Sequence, residues 1–264
     1  KSSRLRRQWR GVCEDVRRRR EFHERLQLEK FKRSDREGWR PNDKIARMSA
    51  ADIVDTVQGG KLSASTVVEN FSRRCLSIGY GVTNSVTEEF FDEALDAAAE
   101  LDRGRRGSQS LVTVQGGEYT KRVLEGLPVS IKDCLHMKGA LSTCGMACKA
   151  ALGPHGEDGL IVQIIREAGA IPIVRSNVPQ CMMLPESNNS LFGRSCNPWN
   201  QGRTPGGSSG GEGTLVASRC TPLGIGTDIG GSVRIPCHFN GICGLKPTPE
   251  RMTRKGMAGL SKVE

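Results

Sequence analysis

Two glycine–serine segments constrain most tightly what this chain can fold into. Residues 204–220 read TPGGSSGGEGTLVASRC and residues 224–236 read GIGTDIGGSVRIP. Glycine pairs flank Ser208 and Ser209 on both sides, and Gly230–Gly231 precedes Ser232. Glycine lets backbone run where a Cβ would clash, and it admits positive φ. Such loops aim several N–H groups and hydroxyls into one small space. A flexible Gly/Ser linker is the plain alternative, but linkers do not carry an embedded Thr227–Asp228–Ile229 and Arg234. A phosphate-binding loop is excluded by the missing Gly-Lys-Ser/Thr ending. The N–H groups of Ile229, Gly230, Gly231 and Ser232 are expected to converge on an anion, as an acyl-transfer oxyanion requires.

The rest of the chain supplies a frame for these loops. After residue 110, strand and helix patterns alternate: strands at 127–131, 171–174, 221–225 and 241–245, and a helix at 160–168 ended near Gly169. Alternation of this kind implies an α/β architecture. Upstream, amphipathic helices are expected at 47–58, with Ser49 as N-cap and Gly59–Gly60 as stop, at 63–76 and at 87–102. Residues 104–119 read as a polar loop, and 251–264 as a connection rather than a closing element.

Residues 1–36 read as a charged helix with a thin apolar stripe of Val16, Phe22, Leu26, Leu28 and Phe31. Residues 1–40 hold 15 Lys/Arg against 7 Asp/Glu, so most of the net charge of +10 belongs to this segment. Two parts follow: a basic helical segment over 1–40 and a body over 41–264. A basic appendage on a near-neutral body argues for a membrane surface and against nucleic acid as partner. No run reaches the ~18 apolar residues of a membrane span, and there is no signal peptide. The chain starts at Lys1, so it reads as part of a longer protein. The 10 cysteines form no zinc pattern, since only Cys144 and Cys148 are close. They read as free thiols in a reducing compartment, with Cys237 and Cys243 as packing residues.

A serine nucleophile needs a base. Four histidines exist, His23, His136, His155 and His238, and none sits in a Gly-x-Ser-x-Gly elbow. A histidine base stays open on the residues alone. Lys132, directly after the apolar run 127–131, is the other candidate, because burial disfavours the charged form of a lysine.

The segments GLPVSIKD, SLFGRSCNPWN, TPGGSSGGEG, GTDIGGSVRIP and GICGLKPT, in this order, resemble the amidase signature family over residues 45–248. The resemblance implies a mixed open sheet covered by helices. It further implies a Ser–Ser–Lys triad, with Ser232 as acyl-forming nucleophile, Ser208 as proton relay after a cis peptide bond, and Lys132 as neutral base. Within the family, NVPQCMM and LFGRSCNPW are similar to the fatty acid amide hydrolase branch. That likeness implies an acyl site lined by Met182, Ile229, Gly230, Gly231 and Ser232. It implies a small-molecule amide substrate, a lipid one, at the cytoplasmic face of a membrane or in the cytoplasm, and a homo-oligomer. No metal or organic cofactor is expected. Ser209 reads as structural, Arg234 as an anchor of its loop, and Asp228 as the group that orients it. Two rival functions remain: an amidase subunit that feeds ammonia from glutamine to a charged tRNA, and a non-catalytic scaffold tethered to a membrane.

Overall fold

The computed structural model describes residues 2–34, 43–107, 112–113, 119–120 and 122–258. Helix α1 spans Ser2–Ser34 and is followed by α2 (Asp43–Ala46), α3 (Ala50–Gln58) and α4 (Ala64–Arg74). A π-helical turn, Cys75–Tyr80, leads to β1 (Val86–Glu89) and α5 (Phe91–Gly107). A short pair, β2 (Val112–Thr113) and β3 (Tyr119–Thr120), precedes β4 (Pro128–Lys132), α6 (Ala147–Ala150), α7 (Leu160–Glu167) and β5 (Ile171–Ser176). A second short pair, β6 (Asn188–Asn189) and β7 (Gly193–Arg194), leads to α8 (Gly210–Ala217), β8 (Leu223–Ile225) and α9 (Arg234–Asn240).

The main sheet has the order β1-β5-β4-β8. Strand β4 runs parallel to β5 and β8, and β1 runs antiparallel to β5, so the sheet is mixed. Strands β4 and β5 are buried at every position, which is the behaviour of central strands covered on both faces. Parallel neighbours need a crossover, and α7 supplies it by burying Val162 and Ile165. Helix α8 lies against β4, β5 and β8. Its first six residues are all buried, including Glu212, because glycine lets its backbone sit on the sheet. A Cβ at Gly211 would lie 2.5 Å from the backbone N and O of Asn177.

The upstream helices are set by their caps. Ser49 and Asp52 form a capping box on α3, and Ser63 accepts from Thr66 N–H on α4. Asp102 of α5 accepts from the Ala64 and Ser65 N–H groups at 2.7 and 3.0 Å, which ties the start of α4 to α5. Ile53, Val57, Val67, Phe71 and Phe91 bring these helices into one core with Val129, Ile131 and Ile173 of the sheet.

Three local expectations change. The helix expected at 87–102 begins at Phe91, because Val86–Glu89 pairs with β5 and the Glu89 carboxylate accepts from Phe91 N–H at 3.0 Å. The strand expected at 241–245 does not form. Gly241 ends α9 in the left-handed region (φ 68°), and Leu245 is 85% exposed with no partner strand among the described residues. Within 104–119, α5 continues to Gly107, and 112–113 pair with 119–120. The remainder of that loop, and residues 259–264, lie outside the described residues.

Helix α1 rests against the body. Val16 is buried with Leu191, Phe192 and Ala150, and Phe31 packs on Phe91. Arg17 donates to the carbonyls of Leu191 and Ser190. Arg20 donates to Asn84 Oδ1 at 2.6 Å and stacks 5.1 Å from the Tyr80 ring. The stripe read from sequence is only partly used: Phe22 and Leu28 face solvent, and Gln27 is buried instead.

Candidate active site

Strand alternation puts Ser130 and Lys132 on one face of β4, toward α8. Lys132 is 0% exposed. Its Nζ donates to Ser208 Oγ at 2.8 Å and to Thr227 Oγ1 at 2.7 Å. Burial lowers its proton affinity below that of an ordinary lysine, and the nearby Cys134, Glu212, Cys144 and Asp228 oppose this only in part. Among the described residues no carboxylate forms an ion pair with it. An unpaired buried ammonium is costly, so the amine is poised to be neutral.

Ser208 is 3% exposed and follows a cis Gly207–Ser208 peptide, just ahead of α8. Ser209 joins the two glycine segments. Its N–H donates to the Ser232 carbonyl at 3.1 Å, and its hydroxyl meets Thr227 through the carbonyl at 3.2 Å and the N–H at 3.3 Å. Ser209 is thus a structural staple. Ser232 is half-buried, and its hydroxyl has no hydrogen-bond partner among the described residues.

Asp228 organises the loop that carries Ser232. It accepts from the N–H groups of Gly231, Val233 and Arg234 at 2.8, 3.0 and 3.3 Å. The Arg234 guanidinium grips it with two bonds of 3.0 and 2.9 Å. That guanidinium, first among the causes, holds the Asp228 carboxyl well below the usual carboxylate range. The expectation of four convergent amides is corrected here, because the Gly231 N–H is spent on Asp228. The amides of Ile229, Gly230 and Ser232 have no acceptor among the described residues. Ile229 is 94% exposed at the rim.

The structure joins Lys132 to Ser208 directly and joins Ser208's neighbour to Ser232 through backbone. Met182 stands on a separate 3₁₀ turn, Gln180–Met182, half-buried against the main core, with Cys181 and Met182 both at positive φ. The turn is tied to the loop after Lys132 by Cys181 N–H donating to the Cys144 carbonyl at 2.9 Å. None of the four histidines hydrogen-bonds Lys132, Ser208 or Ser232 among the described residues. His23 meets Glu89, and His136 stacks on His155 at 3.8 Å. Cys237 is half-buried, but Cys243 is exposed rather than packed.

Three contributors escaped the sequence reading. Thr227 is the second partner of Lys132, and its only signal was its place in the second glycine segment. Arg175, 0% exposed on β5, donates to the carbonyls of Asp133, Leu135 and Leu141 and sits 3.7 Å from the Asp133 carboxylate. It fixes the loop that leaves Lys132. Asp133 also accepts from Thr143 N–H at 2.6 Å, and burial, opposed by Arg175, raises its proton affinity. Glu212 is the third. An acidic residue early in a helix reads as a surface partner of the helix dipole, so nothing in sequence marked it as buried.

A lysine bonded to a serine, beside a second serine on a glycine loop, is a specific arrangement. Residues 66–264 match the family described as Amidase. Fatty-acid amide hydrolase 1 of Sus scrofa is 37% identical over 218 residues, which cover 83% of this chain and 34% of the relative. Amidase 1 of Gibberella moniliformis (strain M3125 / FGSC 7600) is 43% identical over 176 residues, 67% of this chain and 32% of the relative. The chain thus spans about a third of the length of these curated relatives. A solved structure of a fatty acid amide hydrolase superposes with a TM-score of 0.75 at 31% identity, covering 84% of this chain and 37% of that one. The fold is that of amidase signature structures, and the chain belongs to the Amidase family.

Proposed function

We propose that this chain carries the catalytic residues of a serine amide hydrolase that cleaves carboxylic amides through an acyl-enzyme on Ser232. The observation that carries this reading is the fully buried Lys132 with its amine 2.8 Å from Ser208 Oγ. Neutral Lys132 accepts a proton from Ser208 as Ser208 takes one from Ser232. Ser232 attacks the amide carbonyl. The free amides of Ile229, Gly230 and Ser232 receive the developing oxyanion. Ser208 returns a proton to the leaving amine, the demanding step of amide cleavage. Water then releases the acid. No metal or organic cofactor enters this scheme.

The substrate is a fatty acid amide, bound with its acyl part toward Met182 and the 229–231 rim. The likeness to fatty acid amide hydrolases supports this class. Residues 1–40 bring the protein to an anionic membrane surface. The exposed Arg6, Arg7, Arg10, Arg18, Arg19 and Arg25 of α1 support such a contact. No helix among the described residues is long and apolar enough to cross a membrane. The test is turnover of long-chain against two-carbon primary amides, in wild type and Ser232→Ala. Ser232-dependent release of ammonia that favours the long chain is expected. Equal turnover of both would remove the lipid assignment, and release by Ser232→Ala would remove the nucleophile.

A further inference from the structure

Glu212 is a buried acid that the proposed mechanism does not use. It lies one helical turn beyond Ser208, and its Oε2 accepts from Ser130 Oγ at 2.5 Å. Ser130 is two residues before Lys132 on the same face of β4, a spacing of roughly 6.6 Å along a strand. Ser130 also meets Thr221 at 3.1 Å. On the neighbouring strand, Ser176 is the registered partner of Lys132. Ser176 Oγ and Glu212 Oε1 are both buried without a well-formed hydrogen bond among the described residues. The pocket is built around the carboxyl: a Cβ on Gly224 of β8 would lie 2.3 Å from Glu212 Oε2. The charged and titratable groups that face Glu212 are Lys132 on β4, Arg175 on β5 and Cys75 after α4. Those facing Lys132 are Cys134, Cys144, Asp228 and Glu212 itself.

We infer that Glu212 is a positioning residue whose carboxyl, held by Ser130 behind Lys132, governs how readily the lysine holds its proton. This inference rests on the Lys132–Ser208–Ser232 reading above. The physical logic is a coupled titration. Burial, the largest cause, pushes the Glu212 carboxyl up to about 7 from an ordinary value of 4.5. Below that pH it is neutral and exerts little pull on the lysine. Above it the carboxylate favours the ammonium form of Lys132 and delays formation of the neutral base. The network thus connects acid on one side of β4 to base at its end.

The experiment follows the rate of fluorophosphonate labelling at Ser232 against pH in wild type, Glu212→Gln, Ser130→Ala and Lys132→Ala. Glu212→Gln keeps the size of the side chain and removes its charge. Its limb is expected to fall by up to about half a pH unit above about pH 7, where the wild-type carboxylate is ionised, so labelling on that part of the limb is up to about threefold faster relative to the plateau, and the acid end is unchanged. Ser130→Ala disfavours the ionised carboxylate and moves the limb the same way by less, and it reads the effect if Glu212→Gln fails to fold. A purely structural role would lower the plateau or the unfolding temperature and leave the midpoint in place. Midpoints unchanged in the folded variants overturn the inference while leaving the triad intact. No labelling at Ser232 in wild type, or an unaltered profile in Lys132→Ala, instead overturns the triad on which it rests.

Discussion

Lys132 at the end of β4 and Arg19 on α1 are both cations, and they meet opposite fates. Lys132 is wholly buried against two hydroxyls, whereas the Arg19 side chain is 69% exposed beside Asp15 at 2.9 Å. For the first, desolvation dominates and the charge itself is unfavourable, so the amine is poised to be neutral. For the second, water and salt screen the charge, and the pair contributes little to stability. The layer between β4 and α8 therefore concentrates buried polar groups in few side chains. The outer face of α1 spreads charge over many, each replaceable. Arg20, on the same helix, shows the intermediate case: its partly buried guanidinium lies over Tyr80 and Phe192 and helps hold α1 to the body.

The sharpest way to break this contrast is Lys132→Ala. Loss of a positioned base should slow Ser232 acylation about 10²–10⁴-fold. In wild type the rate should rise with pH, since Lys132 must lose its proton and burial only lowers the pH at which it does so. A flat profile between about pH 6 and 10 would remove the lysine base. Next is Arg175→Met, which leaves the Asp133 carboxylate buried without its partner. Urea unfolding should register a loss of about 3–5 kcal/mol, the usual cost of breaking a buried pair.

Effects on α1 should be smaller. Replacing Arg6 and Arg7 with Ala should weaken binding to anionic vesicles by about 2 kcal/mol, roughly 30-fold, at unchanged turnover of a soluble amide. Unchanged flotation would leave α1 as a structural element only. Arg20→Ala should cost about 1–2 kcal/mol and expose α1 to earlier proteolysis. At the far end, Arg19→Ala should shift unfolding by less than about 0.5 kcal/mol, since Asp15 is its exposed i−4 partner.

What the sequence disclosed follows the same division. Ser49, Ser63 and Gly241 act through local geometry, and the cap of α3 was legible as a cap. The glycine segments and the run before Lys132 were legible because steric demands confine them to few residue types. Gly241 illustrates the limit. The apolar residues after it suggested a strand, but a strand needs a partner, and pairing is not local. Val86–Glu89 erred the other way, since its pairing with β5 overrode a helical pattern. Thr227, Arg175 and Glu212 could not be read as site residues, because their roles arise only when β4, β5 and α8 stack. The charge of residues 1–40 suggested an appendage, yet Val16, Arg17, Arg20 and Phe31 seat the helix on the body.

The most direct test of the central claim is peptide mapping after fluorophosphonate treatment of wild type and Ser232→Ala. A single adduct on Ser232, absent from the variant, is the result predicted by a buried lysine activating a serine pair. An adduct on another serine, or none on a protein that circular dichroism shows to be folded, would contradict it.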